Sequence, residues 1–228
     1  MRTLIIGAGE TGQALFEILS RSYETLRIDP KFGFSAKIDS CDIMNVCIGY
    51  SSDFVDIVCE YQKKYHPYLT VIHSTVPVGT TSKIKDAVHS PILGDHTNMK
   101  NSIMKFTKWI GGMRADEIYR MFLMAGIVCK TVPTSEETEL LKLMCLAKYG
   151  MSIAFAQYQK NCFDKSGFDY SHVLEWDINY NMNAKPYQQR PLIRPPENKI
   201  GGHCVIPGTK MLNEMFPNPI LEEVLKYA

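Results

Sequence analysis

Thr3-Leu4-Ile5-Ile6-Gly7-Ala8-Gly9-Glu10-Thr11-Gly12 is a short apolar run that breaks on a glycine turn, and behind it Ala14, Leu15, Ile18 and Leu19 recur at helical spacing. The stretch reads as strand, tight turn, helix. Gly7 permits the turn, Gly9 lets a pyrophosphate approach the backbone, and Gly12 lets the helix lie close against the strand. The first N–H groups of the helix have no partners within it and face the turn, where they suit an anion. A glycine spacing of this kind is weak evidence alone, but here it has the flanking strand and helix that a dinucleotide site requires.

The next apolar stretch, Thr25 to Ile28, ends in Asp29. An acidic residue in that place holds the ribose 2′-OH of NAD and repels the 2′-phosphate of NADP, so NAD is the expected cofactor. The alternation continues with a strand expected over 44–48, a helix marked by Phe54, Val55, Ile57, Val58 and Tyr61, and a strand over 69–73. Repeated strand–helix units predict a parallel, doubly wound sheet. Ligands of such sheets lie beyond the strand C-termini, which is where Ser74-Thr75-Val76-Pro77-Val78-Gly79-Thr80-Thr81 falls. Pro77 and Gly79 stiffen this loop, and its closing hydroxyls suit the cap of a following helix. His73, at a strand end, reads as a packed histidine.

Farther on, strands are expected over 107–110 and 127–132, flanking a helix over 114–124. Thr134-Ser135-Glu136-Glu137 has the spacing of a capping box and opens a long helical pattern through Leu140, Met144, Ala147, Met151 and Ala154, ending near Ser166-Gly167. Such a helix is about 45 Å long at 1.5 Å per residue, and a second helical domain or another subunit must cover it. Residues 179–198, rich in Asn, Gln and Pro, read as irregular loop. After them comes Ile200-Gly201-Gly202-His203-Cys204, a cysteine presented by two glycines. It is either a small hydrophobe closing a tight turn or a thiol able to add to an aldehyde beside a nicotinamide.

Composition excludes several classes. The 228 residues carry a net charge of +1. Charges of both signs are interspersed, so neither a nucleic-acid stripe nor a basic membrane-surface helix is present in the pattern. The seven cysteines are odd in number and never in C-x-x-C spacing, which fits neither a disulfide framework nor a zinc site, and no metal is expected. A reducing cytoplasm is the expected setting. The first apolar strand begins at Thr3, so no signal peptide is expected, and no apolar run reaches membrane-spanning length.

The segments IIGAGETG (5–12), HSTVPVGTT (73–81), SPILGDHTNMKNSIMKFTKWIGG (90–112), TSEETELLKLMCLAKYGMSIAFAQ (134–157) and RPPENKIGGHCVIPGTKML (194–212), in that order, resemble the UDP-glucose/GDP-mannose dehydrogenase family. The resemblance touches most of the chain, and the second and last segments are its most specific parts. It implies oxidation of a nucleotide-sugar alcohol to the acid in two NAD-dependent steps. The implied fold is an N-terminal Rossmann-like doubly wound sheet over 1–133, then a smaller, mainly helical linker and dimerisation domain over 134–228 that carries the active-site loop. From chain length, the family's C-terminal nucleotide-binding domain is expected to be absent. A homodimer through the helix from about Ser135 to Lys165 is implied too.

Residue by residue, the resemblance puts the nucleophilic cysteine at Cys204, the oxyanion-stabilising lysine at Lys142 and a water-positioning threonine at Thr75. The cofactor residues are Gly7, Gly9, Glu10, Thr11, Gly12, Asp29, Ser74 and Thr75. In this chemistry the thiolate captures the aldehyde as a thiohemiacetal, whose oxidation gives a thioester that water opens. The implied arrangement has the Cys204 sulfur and the Lys142 nitrogen facing one cleft beside Thr75. Three positions depart from the family pattern: Ile92 stands in place of a glutamate, Leu146 of an asparagine and Gly208 of an aspartate. Two other readings therefore stand beside the first. One is a single hydride transfer of the β-hydroxyacid dehydrogenase kind, and the other a dinucleotide-binding protein without catalysis.

Overall fold

The opening apolar run is a strand, β1 (Arg2–Ile6), and the glycine turn feeds α1 (Glu10–Leu19). The computed structural model describes residues 1–196, 199–200 and 204–228. From α1 the chain runs through β2 (Glu24–Ile28), β3 (Ile43–Val46), α2 (Phe54–Tyr65), β4 (Leu69–Ile72) and β5 (Ala87–His89). It continues through α3 (Met99–Lys105), β6 (Lys108–Gly111), α4 (Ala115–Met124), β7 (Cys129–Val132) and α5 (Ser135–Ser166). The strands form one sheet in the order β2-β1-β3-β4-β5-β6-β7. Its direction of growth reverses between β1 and β3, which leaves a crevice beyond their C-terminal ends. This is a Rossmann-like α/β fold.

The central strands alternate between two buried faces. Ile5, Ile43, Val71, Val88 and Ile110 pack under α1, α3 and α4, where Leu15, Ile103 and Phe122 meet them. Leu4, Ile6, Met44, Val46 and Ile72 pack on the other side against Phe54 and Val58 of α2. Burial on both faces explains the near-continuous apolar strands.

The sheet is not parallel throughout, as the strand–helix repeat predicts. β6 joins β5 antiparallel, through His89 and Gly111. The connection holds a 3₁₀ turn over His96–Asn98 and the seven-residue α3, and β6 enters the sheet at the edge where β5 stops. The capping box is half formed: the Thr134 hydroxyl accepts from Glu137 N at 3.3 Å, but the Glu137 carboxylate meets that same hydroxyl rather than a backbone N–H.

The chain divides into two compact units, Met1–Lys142 and Leu143–Ala228. The second is helical, with α6 (Ser171–Asn183), α7 (Val205–Met215) and α8 (Pro219–Leu225) beside the C-terminal part of α5. Residues 179–183 are thus helical rather than irregular. α6 buries none of its residues, so it carries no apolar period to read. Its asparagines serve another purpose: Asn181 donates to Arg190 O at 2.9 Å and accepts from Arg190 N at 2.8 Å, holding the following strap. No described helix is long and apolar enough to cross a membrane.

A line of buried polar groups runs across the first face, over five neighbouring strands. The Asn45 amide bridges the Thr3 hydroxyl at 2.7 Å and His73 Nε2 at 3.0 Å. His73 Nδ1 donates to Ser90 O at 2.8 Å, and Lys108 Nζ donates to Ser90 O at 2.7 Å and Pro91 O at 3.3 Å. Burial, and then the nearby Lys108, pull the His73 pKa well below its ordinary value, so its ring is neutral. A neutral ring donating from Nδ1 needs a donor at Nε2. The amide orientation that satisfies all three groups therefore turns the Asn45 NH2 to the ring and its oxygen to the Thr3 hydroxyl. His73 is a packed histidine, as its place in the sequence indicates.

Burial lowers Lys108 from 10.5 to about 7. A neutral amine still has donors for both carbonyls, so the site holds with or without the charge. Between about pH 7 and its unfolded value near 10.5, the unfolded chain binds a proton that the folded chain does not. Stability therefore rises with pH in that window, by at most about 1.4 kcal/mol per unit. Cys41 and Cys47, pushed up to about 12 by burial, act oppositely only near and above 9.0, their ordinary value. Urea unfolding of the wild type from about pH 7 to 8.5 should show the rise, and Lys108→Met should flatten it. An unchanged slope in the variant would assign the pH dependence to other groups.

Candidate active site

Two of the three glycines in the turn are demanded by packing. A Cβ at Gly7 would lie 2.6 Å from the Cys47 carbonyl oxygen, and one at Gly12 would lie 1.9 Å from the Gly7 oxygen. Gly7 also has a φ of +94°, which a side chain disfavours. Gly9 differs, because a Cβ there would meet nothing within 4 Å. It is the N-cap of α1, with Glu10 exposed and Thr11 half-buried in the first turn. The turn thus opens onto clear space at the crevice between β1 and β3, with the helix N–H groups behind it.

Asp29 closes one side of this opening. Its Oδ2 accepts from Ala8 N at 2.7 Å and its Oδ1 from Lys31 N at 3.0 Å, so the carboxylate stitches the end of β2 to the glycine turn. Each oxygen keeps acceptor capacity for a hydroxyl. The nearby Arg27 is engaged elsewhere. Its guanidinium lies 4.1 Å from the Phe16 ring centroid and 4.0 Å from that of Phe34, and it donates to Gln13.

The loop after β4 is held at both ends. Ser74 Oγ donates to Ile48 O at 2.6 Å, and His89 Nε2 donates to Ser74 O at 3.1 Å. Burial drives His89 down to about 3, so its Nδ1 is an acceptor and takes the Thr138 hydroxyl proton at 2.8 Å. Thr75 lies half-buried between buried Ser74 and Val76. At the far end, Glu139 accepts from Gly79 N at 2.6 Å through Oε2 and from Thr81 N at 2.8 Å through Oε1. The loop hydroxyls do not cap a following helix. Only a single 3₁₀ turn, Thr81–Lys83, follows, and Thr80 Oγ1 turns back to donate to Pro77 O at 2.7 Å.

Lys142, half-buried, donates from Nζ to Ile92 O at 2.8 Å. Its partner there is the backbone of the residue that stands in place of the family's glutamate. Cys204 belongs to the other unit and is the half-buried N-cap of α7, packed against the apolar cluster that holds Leu146 and Val205. Gly201 and Gly202, which present the cysteine in the sequence reading, lie outside the described residues.

Two of the three departures touch each other. A Cβ at Gly208 would lie 2.6 Å from Cδ1 of Leu146, so the leucine occupies the space that the glycine leaves. Both residues are buried. An apolar contact therefore stands where the resemblance would put two polar groups. The residues that the sequence reading did not single out are Thr138, Glu139, His89 and Lys108. The only available signal was that Glu139 lies one helical turn before Lys142 in the same run.

Restoring one polar group without the other should be costly. Gly208→Asp alone should destabilise by about 1–3 kcal/mol, because the carboxylate must displace Leu146. Combined with Leu146→Asn, the loss should fall short of the sum of the single losses by at least about 0.5 kcal/mol in denaturant titrations. Strict additivity would show that the contact does not set the tolerance.

No protein-family model matches the chain. Over 190 residues it is 28% identical to UDP-N-acetyl-D-mannosamine dehydrogenase of Methanococcus vannielii, covering 77% of this chain and 40% of that protein. The chain thus spans about two fifths of the length of this curated relative. Among solved structures, a UDP-D-ManNAc dehydrogenase from Pyrococcus horikoshii superimposes with a TM-score of 0.82 at 15% identity, over 100% of this chain and 68% of that one. A 3-hydroxyisobutyrate dehydrogenase of Mycobacterium tuberculosis gives 0.72 at 10% identity, over 99% and 91%. The structural likenesses carry the fold, and the curated relative adds a sequence similarity to a nucleotide-sugar dehydrogenase.

Proposed function

We propose that the chain is an NAD-dependent oxidoreductase acting on the CH–OH group of a nucleotide sugar. The observation that carries the reading is the contrast within the glycine turn. Packing explains Gly7 and Gly12 but not Gly9, whose missing side chain leaves room at a helix N-terminus for a pyrophosphate. The surrounding residues fit a nicotinamide dinucleotide. Asp29 offers acceptors to a ribose, and the occupied Arg27 is not presented to a 2′-phosphate, which supports NAD over NADP. Ser74 and Thr75 are proposed to line the same cofactor site, with Glu10 and Thr11 at its mouth.

When bound, NAD supplies the acceptor for each hydride. The chain's own groups do the rest in this proposal. The substrate alcohol loses a hydride and a proton to give the aldehyde. The Cys204 thiolate then forms a C–S bond to the carbonyl carbon, and Lys142 stabilises the oxyanion. Loss of a second hydride leaves a thioester, and water positioned by Thr75 breaks the C–S bond to release acid and thiolate. The proposed domain division is a cofactor domain over 1–133 and a helical domain over 134–228. The scattered cysteines support a reducing, cytoplasmic setting.

One observation favours a second reading. The Leu146–Gly208 contact removes polar groups that would manage water, which suits a single hydride transfer and accords with the likeness to 3-hydroxyisobutyrate dehydrogenase. The wild type should reduce NAD in the presence of UDP-N-acetylmannosamine, and Cys204→Ala should abolish acid formation while leaving NAD affinity within about twofold. Full turnover in the variant would select the single-hydride reading. NAD binding without turnover on nucleotide sugars or hydroxyacids would leave a binding protein.

The glycine contrast gives a separate test. Gly9→Val should leave thermal stability nearly unchanged and weaken NAD binding at least about tenfold, whereas Gly12→Ala should lower stability through its clash with the Gly7 carbonyl. Equal stability losses in both variants would remove the argument for a ligand at Gly9.

We also propose a homodimer through the helix from about Ser135 to Lys165. In the second unit, Phe155 and Tyr158 of α5 remain 60% and 59% exposed, beside an apolar groove of about 820 Å³. A two-fold pairing would cover them. Sedimentation at tens of micromolar should give the mass of two chains, and a monomer throughout would overturn the pairing.

A further inference from the structure

We infer that Glu139 is a positioning residue, an internal anion that sets the Ser74–Thr81 loop in the shape that Thr75 needs to serve the cofactor site. The inference rests on the proposed role of Thr75. Glu139 is fully buried on the second turn of α5 and touches neither solvent nor any described cation through an ion pair. Its two oxygens instead take one backbone N–H each, from Gly79 and Thr81. N–H groups brought together in this way by a turn form a seat for an anion. Here the seat is filled from within the chain by a side chain on the element that also carries Lys142.

The neighbouring Thr138 holds the other end of the loop. Its hydroxyl fixes His89, and His89 donates to Ser74 O. Thr75 is therefore suspended between two points fixed by consecutive residues of one helix, and Lys142, one turn on from Glu139, grips Ile92 O. Moving α5 would shift Ser74, Gly79, Thr81 and Ile92 together. A carboxylate is the side chain that answers this geometry, since two separate donors need two acceptor oxygens at the end of one stem. Glutamine offers one acceptor and turns its own NH2 toward the second donor. Aspartate keeps both acceptors but is one methylene too short.

Hydrogen–deuterium exchange resolved over residues 74–83, calorimetric NAD titration and steady-state kinetics with UDP-N-acetylmannosamine test this on wild type, Glu139→Gln and Glu139→Asp. The Gln variant should exchange at Gly79 and Thr81 at least about tenfold faster while the sheet amides keep wild-type protection. Its NAD Kd should rise at least about fivefold, and its kcat should fall by about tenfold or more with little change in the KM for the sugar nucleotide. If Glu139→Gln does not fold, Glu139→Asp carries the same three readouts with the same expected directions. Unchanged exchange at Gly79 and Thr81 overturns the inference. So does loosened exchange with wild-type NAD affinity and kcat, which would leave Glu139 a purely structural residue. If the wild type turns over no nucleotide sugar, the proposed substrate reading fails by itself, and the NAD Kd alone decides for or against Glu139.

Discussion

Everything at the C-terminal edge of the sheet depends on two stretches of backbone meeting with no side chain between them. α1 approaches the end of β1 so closely that a single methyl at Gly12 would overlap the Gly7 carbonyl, and Gly7 in turn lies against the Cys47 carbonyl at the end of β3. This approach directs the first N–H groups of α1 into the crevice, beside Asp29 and its bond to Ala8. Were the helix an ångström or two farther out, those groups would no longer converge with the carboxylate. The fold would survive such a shift better than the site.

Beneath that edge, the buried polar line from Thr3 to Lys108 ties neighbouring strands through side chains as well as through their ladders. Buried polar networks of this kind are costly when half satisfied and specific when complete. Here every described member has a partner once the His73 and Asn45 orientations are assigned. The line ends on the carbonyls of Ser90 and Pro91, immediately before the Ile92 carbonyl held by Lys142. Three successive carbonyls after β5 are thus held by lysine ammonium or amine groups from two different elements.

Much of this was legible in the residues, and the remainder was hidden for physical reasons. β1, α1 and β2 follow from apolar runs punctuated by Gly7 and Asp29, and α5 from a capping pattern and a long period. The three-residue β5 offers only Val88 to the core, too little for a period. α6 buries nothing and is held to its neighbour through Asn181, so its polarity imitates a loop. At the proposed site, spacing alone locates the glycine turn and the acidic end of β2: Gly9 caps α1, and Asp29 accepts from Ala8 N. Spacing does not locate Glu139 and His89, because each works by meeting backbone groups distant in sequence, and a buried carboxylate on a helix looks in one dimension like a solvated one. For Cys204, the chain position at the head of α7 is clear, while the glycines before it lie outside the described residues.

The packing of Leu146 on Gly208 bears on how this sequence can change over time. Each residue makes a polar alternative at the other costly: an aspartate at 208 must displace the leucine that fills its space, and an asparagine at 146 would face a glycine that offers it no side-chain partner. A chain that carries both polar groups is two substitutions away, and each single step leaves the pair mismatched. A chain that has settled into the apolar pair is therefore confined to its own region of sequence space. It would change more readily at the residues around the pair than at the pair itself.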